Sequence, residues 1–187
     1  MTGKKPFFFH KFNTEVLTQS QKPKEGTTGN NPNEWKSTVW SEEERLFIPD
    51  NYLFSSIVGG GKHVKVGRGT ISKNLAGTVE ITGARFYFSN RTLPKPIEEI
   101  EEGDISKDPS KDIYIDMRMV ANPNTKGRNV RYRLALSPGW EVEASCEFDD
   151  SVISPDQMKT AIECAGKFVG IGDARAIGYG RFNIEFV

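Results

Sequence analysis

Apolar and polar positions alternate with period two over several stretches of this chain, and recur at helical spacing over two others. Phe7, Phe9 and Lys11 alternate with Phe8, His10 and Phe12, so residues 7–18 are expected to form a first strand with apolar side chains on both faces. Residues 77–88 read as a strand interrupted at Gly83, where a bulge is expected between Val79 and Ile81 and the later Phe86 and Phe88. Three strands then follow closely. Ile113, Ile115, Met117 and Met119 alternate with Tyr114, Asp116 and Arg118; Val130, Tyr132, Leu134 and Leu136 alternate with Arg131, Arg133 and Ala135. Trp140, Val142, Ala144, Cys146 and Phe148 alternate with Glu141, Glu143, Ser145 and Glu147. Asn122-Pro123-Asn124-Thr125-Lys126-Gly127 and Ser137-Pro138-Gly139 are the turns between them, so the pattern is that of antiparallel strands with one face buried.

Two segments carry the helical period. Pro49 closes an extended stretch, Asp50 or Asn51 can cap a short helix, and Leu53 and Ile57, with Phe54 and Val58 beside them, make its buried stripe. Gly59-Gly60-Gly61 is expected to stop that helix and open a flexible loop. Near the C-terminal end of the sequence, Ser154 suits an N-cap, Pro155 the first helical position and Gln157 the capping box. Met158, Ala161, Ile162, Ala165 and Phe168 follow at helical spacing. A closing strand is expected where Phe182, Ile184 and Phe186 alternate with Asn183 and Glu185.

These elements predict an α+β fold, a single domain over residues 1–187 with a ferredoxin-like core: an antiparallel sheet with helices on one face. Stretches at about 19–45 and 89–111, rich in Gly, Asn, Lys and Pro, read as loop insertions, with Trp35 and Trp40 as docking anchors. No apolar run approaches the ~20 residues of a membrane span. Cys146 and Cys164 fall on predicted apolar faces and read as reduced core residues of a cytoplasmic protein. They form no zinc pattern with His10 and His63, and neither a metal nor a cofactor is expected.

Net charge is zero, but it is segregated. Residues 51–79 contain no acid, while Lys62, Lys65, Arg68 and Lys73 supply four bases. Residues 116–135 hold one acid against Arg118, Lys126, Arg128, Arg131 and Arg133, and Glu98-Glu99-Ile100-Glu101-Glu102-Gly103-Asp104 is a compact acidic run. Segregated charge creates local potential that attracts a polyanion. Residues 166–182 contain five glycines punctuated by Arg175 and Arg181, a composition that permits a backbone-lined anion site as well as a plain helix cap and turn. No Gly-Lys-Ser/Thr follows, and the glycines precede a strand, which excludes a Walker-type loop and argues against a dinucleotide fingerprint.

Ile48-Pro49-Asp50-Asn51-Tyr52-Leu53 resembles the Ile-Pro-Gly-x-x-Leu opening of a helix in the RAMP (repeat-associated mysterious protein) superfamily, which includes backbone subunits of CRISPR effector complexes. Gly170-Ile171-Gly172-Asp173-Ala174-Arg175 with Gly178-Tyr179-Gly180-Arg181-Phe182 resembles the C-terminal glycine-rich loop and closing strand of the same superfamily. The resemblance covers about residues 46–70 and 154–187. Asp50 stands where the motif has Gly, and Phe54 where it has Lys. The pattern is also similar to small RAMP-like proteins of phage and prophage genomes, for which the host cytoplasm would be the location. The resemblance implies a modified RNA-recognition-type fold that tracks single-stranded RNA or DNA, often as a homo-oligomer. Residues available for that task are Lys62, His63, Lys65 and Arg68, then Arg131 and Arg133 on one strand face, and Arg175 and Arg181 flanking a loop where Tyr179 can stack.

Each group has a structural use as well. Arg131 and Arg133 can pair across strands with Glu141, Glu143 or Glu147, Arg175 can pair with Asp173, and Lys62, Lys65 and Arg68 can be a solvated loop. Other classes remain open: a nuclease using His10, His63 or Asp50, and a phage-encoded interaction or inhibitor protein that presents the acidic run and the Trp35/Trp40 loop to a protein partner.

Overall fold

A computed structural model of the chain describes residues 1–12, 32–121 and 128–187. Part of the expected first strand (13–18), residues 19–31 of the first expected insertion and the 122–127 connection lie outside the described residues. The fold is α+β, with several small antiparallel sheets and, among the described residues, three α-helices.

In chain order, β1 (Thr2–Gly3) and β2 (Phe7–Phe8) come first, followed by a 3-10 turn at Glu34–Thr38. Next are β3 (Ser41–Glu42), β4 (Arg45–Pro49) and α1 (Asp50–Gly60). A 3-10 turn at Gly61–His63 leads into the hairpin of β5 (Lys65–Val66) and β6 (Gly69–Thr70), then α2 (Ser72–Thr78). β7 (Glu80–Thr82), β8 (Arg85–Thr92), β9 (Ile113–Ala121) and β10 (Arg128–Leu136) are followed by β11 (Ser145–Glu147), α3 (Pro155–Cys164) and β12 (Phe182–Asn183).

The sheet that matters most has the order β2-β10-β9, and β9 pairs with β10 from Ile113↔Leu136 to Ala121↔Arg128. One face of it is core: Phe7, Phe9, Ile115, Leu134 and Leu136 are buried beside Phe88 and Trp140. Phe7 meets Phe9, Phe88 and Trp140 edge to face at 4.8, 5.2 and 5.8 Å, the geometry favoured by ring quadrupoles. Trp140 satisfies its indole N–H on the Lys5 carbonyl at 2.9 Å. A second cluster gathers Ile57, Ile71, Leu75, Ile153, Met158 and Ala161 between the helices.

The C-terminal helix begins as the sequence predicts. The Ser154 hydroxyl accepts from the Gln157 backbone N–H, and the Gln157 side chain accepts from that of Ser154. Its end differs. A π-turn at Ala165–Val169, closed by Gly170 N–H donating to the Ala165 carbonyl at 2.7 Å, adds a residue and rotates the apolar stripe. Met158, Ala161 and Ala165 stay buried, while Phe168 turns out to solvent.

Several sequence expectations are corrected. The triple glycine does not end in a flexible loop: Gly59 and Gly60 lie inside α1, and a Cβ on Gly60 would come within 2.1 Å of the Ala161 carbonyl oxygen. These glycines bring two helices into backbone contact, a tertiary demand that local sequence does not reveal. Residues 77–88 are not one strand with a bulge. The chain turns at Gly83 (φ +119°), so β7 joins β11 while β8 joins β4. The third strand of the expected run does not extend the β9–β10 hairpin; residues 140–147 cross away, bridging Thr2 and Phe88 before β11 pairs with β7. Both expected insertions contain ordered packing: Ser41–Pro49 supplies β3 and β4, and Leu93, Ile100 and Ile105 are buried in the main core. α2 was not expected at all.

Candidate nucleic-acid interface

The second face of the β2-β10-β9 sheet carries polar and aromatic residues set by the strand register. Phe8, Ala135 and Tyr114 form one row, Arg133 faces Asp116 in the next, and Arg131 faces Arg118 in the third. The glycine-rich loop 170–180 folds over this face. Tyr179 stacks on Phe8 at 4.5 Å and 28°, and Arg118 lies 4.7 Å from the Tyr179 ring and 5.4 Å from that of Phe8. The Arg133 Nε donates to Asp173 Oδ2 at 2.9 Å, with both side chains largely shielded. Arg118 Nε donates to Asp116 at 2.9 Å. Burial alone would pull the Arg118 guanidinium down, but hydrogen bonding to Asp116 and Tyr179 outweighs it and raises it. Tyr114, buried beneath the loop and beside Asp116, has its phenol pushed up to about 12.

The loop's glycines serve the fold. Gly172 (φ +82°) lets the loop approach β2, where a Cβ would meet the Phe8 carbonyl oxygen at 2.6 Å. Amides of Gly170, Ile171, Asp173 and Gly180 donate to carbonyls of Ala165, Gly180, Phe8 and Pro6. Those N–H groups are therefore committed to protein, which removes most of the amides that a backbone-lined anion site would use.

Of the sequence-predicted residues, Lys62, His63, Lys65 and Arg68 follow the C-terminal end of α1 and Arg175 lies by Tyr52 in its first turn, the two ends being roughly 15 Å apart at ~1.5 Å per helical residue. At the N-terminal end, Tyr52 donates its hydroxyl to the His10 carbonyl, and burial raises its phenol, with Asp173 adding to and Arg175 opposing the shift. Arg175 is exposed here and Arg131 is exposed on β10 opposite Arg118, and neither makes an ion pair among the described residues. Of the structural alternatives, Arg133 pairs with Asp173 and not with a glutamate of residues 141–147, so Asp173 is taken by Arg133 and not by Arg175. Arg181 is mostly covered. Burial, and secondarily Arg175, lowers its guanidinium, and its Nη1 has no partner among the described residues.

At the C-terminal end, Lys62, His63, Lys65 and Arg68 are exposed on the Gly61–His63 turn and the β5–β6 hairpin. Gly67 (φ +56°) makes the tight turn that holds Arg68 at its tip. The π-turn brings two residues not selected from sequence. Phe168 is 45% exposed, the His63 ring lies 4.9 Å from it, and Lys167 Nζ sits 5.1 Å from its centroid. The helical period masked this pair by assigning Phe168 to the core; Gly166 late in the helix was the available signal. Arg118 and Phe8 were also missed, although the hairpin register would have placed Arg118 opposite Arg131.

No protein-family model matches the chain, and no curated protein matches it. Among the described residues no group of His, Cys, Asp and Glu is placed to hold a metal ion, and no helix is long and apolar enough to cross a membrane.

Proposed function

We propose that this is a RAMP-like protein with a ferredoxin-like, modified RNA-recognition-type core that binds single-stranded RNA or DNA without cleaving it, assembling as a homo-oligomer along the strand. The observation that carries this reading is the basic end of α1. Lys62, His63, Lys65 and Arg68 are exposed just after it, within a stretch from 51 to 79 that has no acid, and the exposed Phe168 has the His63 ring at 4.9 Å and Lys167 Nζ at 5.1 Å. Cations that neutralise phosphates beside an aromatic face able to stack a base are the two ingredients of sequence-tolerant strand binding. Arg175 at the other end of α1 and Arg131 on β10 are further exposed cations.

The test is anisotropy of fluorescein-labelled oligouridine and oligothymidine across a salt series. Affinity is expected to fall with salt at a slope of about −0.7 per phosphate contact on a log–log plot. The double variant Lys65→Ala/Arg68→Ala is expected to flatten that slope by about 1.4. Binding that ignores salt, or none at low salt, overturns the proposal. A protein-interaction role is the second reading, favoured by an acid-rimmed cleft on another part of the molecule.

A further inference from the structure

A cleft of about 820 Å³ opens between the α1–α3 layer and the extended segment 141–147, within the ~300–1,000 Å³ range of ligand clefts. Leu53, Ile57, Ile81, Phe86 and Ile162 supply apolar lining, and Glu141, Glu143 and Glu185 are exposed beside it. None of these three glutamates makes an ion pair among the described residues.

The two sides of the cleft are strand edges. β1 lies between β12 and residues 141–142: Thr2 faces Asn183 on one side and Glu141 on the other. In the next row, Met1 and Val142 exchange hydrogen bonds, the Met1 amino group donating to the Val142 carbonyl at 2.9 Å and the Val142 N–H to the Met1 carbonyl at 3.0 Å. Beyond that row the flanks run on as 143–146 and 184–187, and both line the cleft. On the far side β11 is already paired with β7, while residues 184–187 make no backbone hydrogen bond among the described residues. Two strand edges that face one cleft, over an apolar floor, are the setting for strand addition.

We propose that this cleft receives an extended segment of a partner polypeptide in which basic and apolar residues alternate. The alternation follows from register. Val142 is buried and Ile184 packs on the core, so their row points inward. A strand laid on the line of β1 puts its first residue between Glu143 and Glu185, pointing outward, where a Lys or Arg meets two carboxylates. Its second residue lies between Ala144 and Phe186, pointing inward over Ile57 and Ile162, where a Val or Leu removes apolar surface from water. Main-chain hydrogen bonds to both flanks supply affinity, and the two glutamates supply selection by charge. This site is independent of the cations proposed to bind nucleic acid.

The test uses the full chain and a synthetic peptide of alternating lysine and valine, acetylated and amidated, labelled for anisotropy. An alternating glutamate–valine peptide and a block peptide with the lysines and valines segregated are the controls. The alternating basic peptide is expected to bind, the acidic one not, and the block peptide about tenfold more weakly, because it loses the register while keeping the charge. Glu143→Gln/Glu185→Gln is expected to weaken binding of the alternating peptide about tenfold. Hydrogen exchange at saturation separates this from loose attraction: the amides of Ala144, Cys146, Glu185 and Val187, which alternate onto the β1 side, should slow. Equal binding of the two basic peptides, an unaffected double variant, or unchanged exchange at those amides overturns the proposal.

Discussion

Arg133 Nε and Asp173 Oδ2 lie 2.9 Å apart and tie strand β10 to the glycine-rich loop. The contact spans forty residues of chain, and Asp173 N–H, which donates to the Phe8 carbonyl at 2.9 Å, pins the same point to β2. Removing one member of a shielded pair leaves the other desolvated and unpaired, which costs more than the pair itself contributes. Asp173→Asn is therefore expected to lower unfolding free energy by about 1–3 kcal/mol in urea denaturation. Lys65→Ala/Arg68→Ala, on an exposed hairpin, should leave the urea midpoint unchanged while weakening nucleic-acid binding. Were the stability losses reversed, the division between structural and free cations would be wrong.

Glycine substitutions distinguish close approach from simple flexibility. Gly60→Ala drives a Cβ into the Ala161 carbonyl, which neither helix can relieve without moving, so a loss of about 2–3 kcal/mol is expected. Gly77 sits in α2 with nothing within 4 Å of the added carbon. Gly77→Ala should raise stability by about 0.4–1 kcal/mol, because alanine restricts the unfolded chain and favours the helix. Thermal unfolding of the pair reads both signs.

Ser154→Ala removes the N-cap acceptor and leaves the Gln157 backbone N–H without its partner. A loss of about 1 kcal/mol is expected, with Ser154→Asp retaining most of the stability, because a carboxylate also caps and suits the helix dipole.

Tyr114 gives a pH signature. Burial holds its phenol at about 12, above the ordinary 10.0, so the folded chain keeps this proton more tightly than the unfolded one. Its contribution is complete below pH ~10 and is lost as pH rises towards ~12. Ultraviolet difference titration should show late tyrosine ionisation to which Tyr114 and Tyr52 contribute, and Tyr114→Phe should remove its part of that step and flatten the alkaline fall in stability. A titration in which all tyrosines ionise together at their ordinary value would contradict the burial of this ring beneath the loop.

What the sequence determined by itself were the features set by near neighbours. The capping box at Ser154, the strand-to-helix change at Pro49, and the alternation that builds the β9–β10 pair all depend on residues within a few positions, whose propensities act locally. Charge segregation was legible for the same reason, since Lys62, His63, Lys65 and Arg68 are adjacent in sequence and all exposed. Tertiary structure decided what each of these features meets. It made Gly60 a helix crossing, sent residues 140–147 away from the hairpin they were expected to extend, and gave Asp173 to Arg133. The π-turn moved Phe168 from the expected core stripe to the surface beside His63. These outcomes turn on distances between segments far apart in sequence, where packing overrides local preference, and so no reading of period or composition contains them.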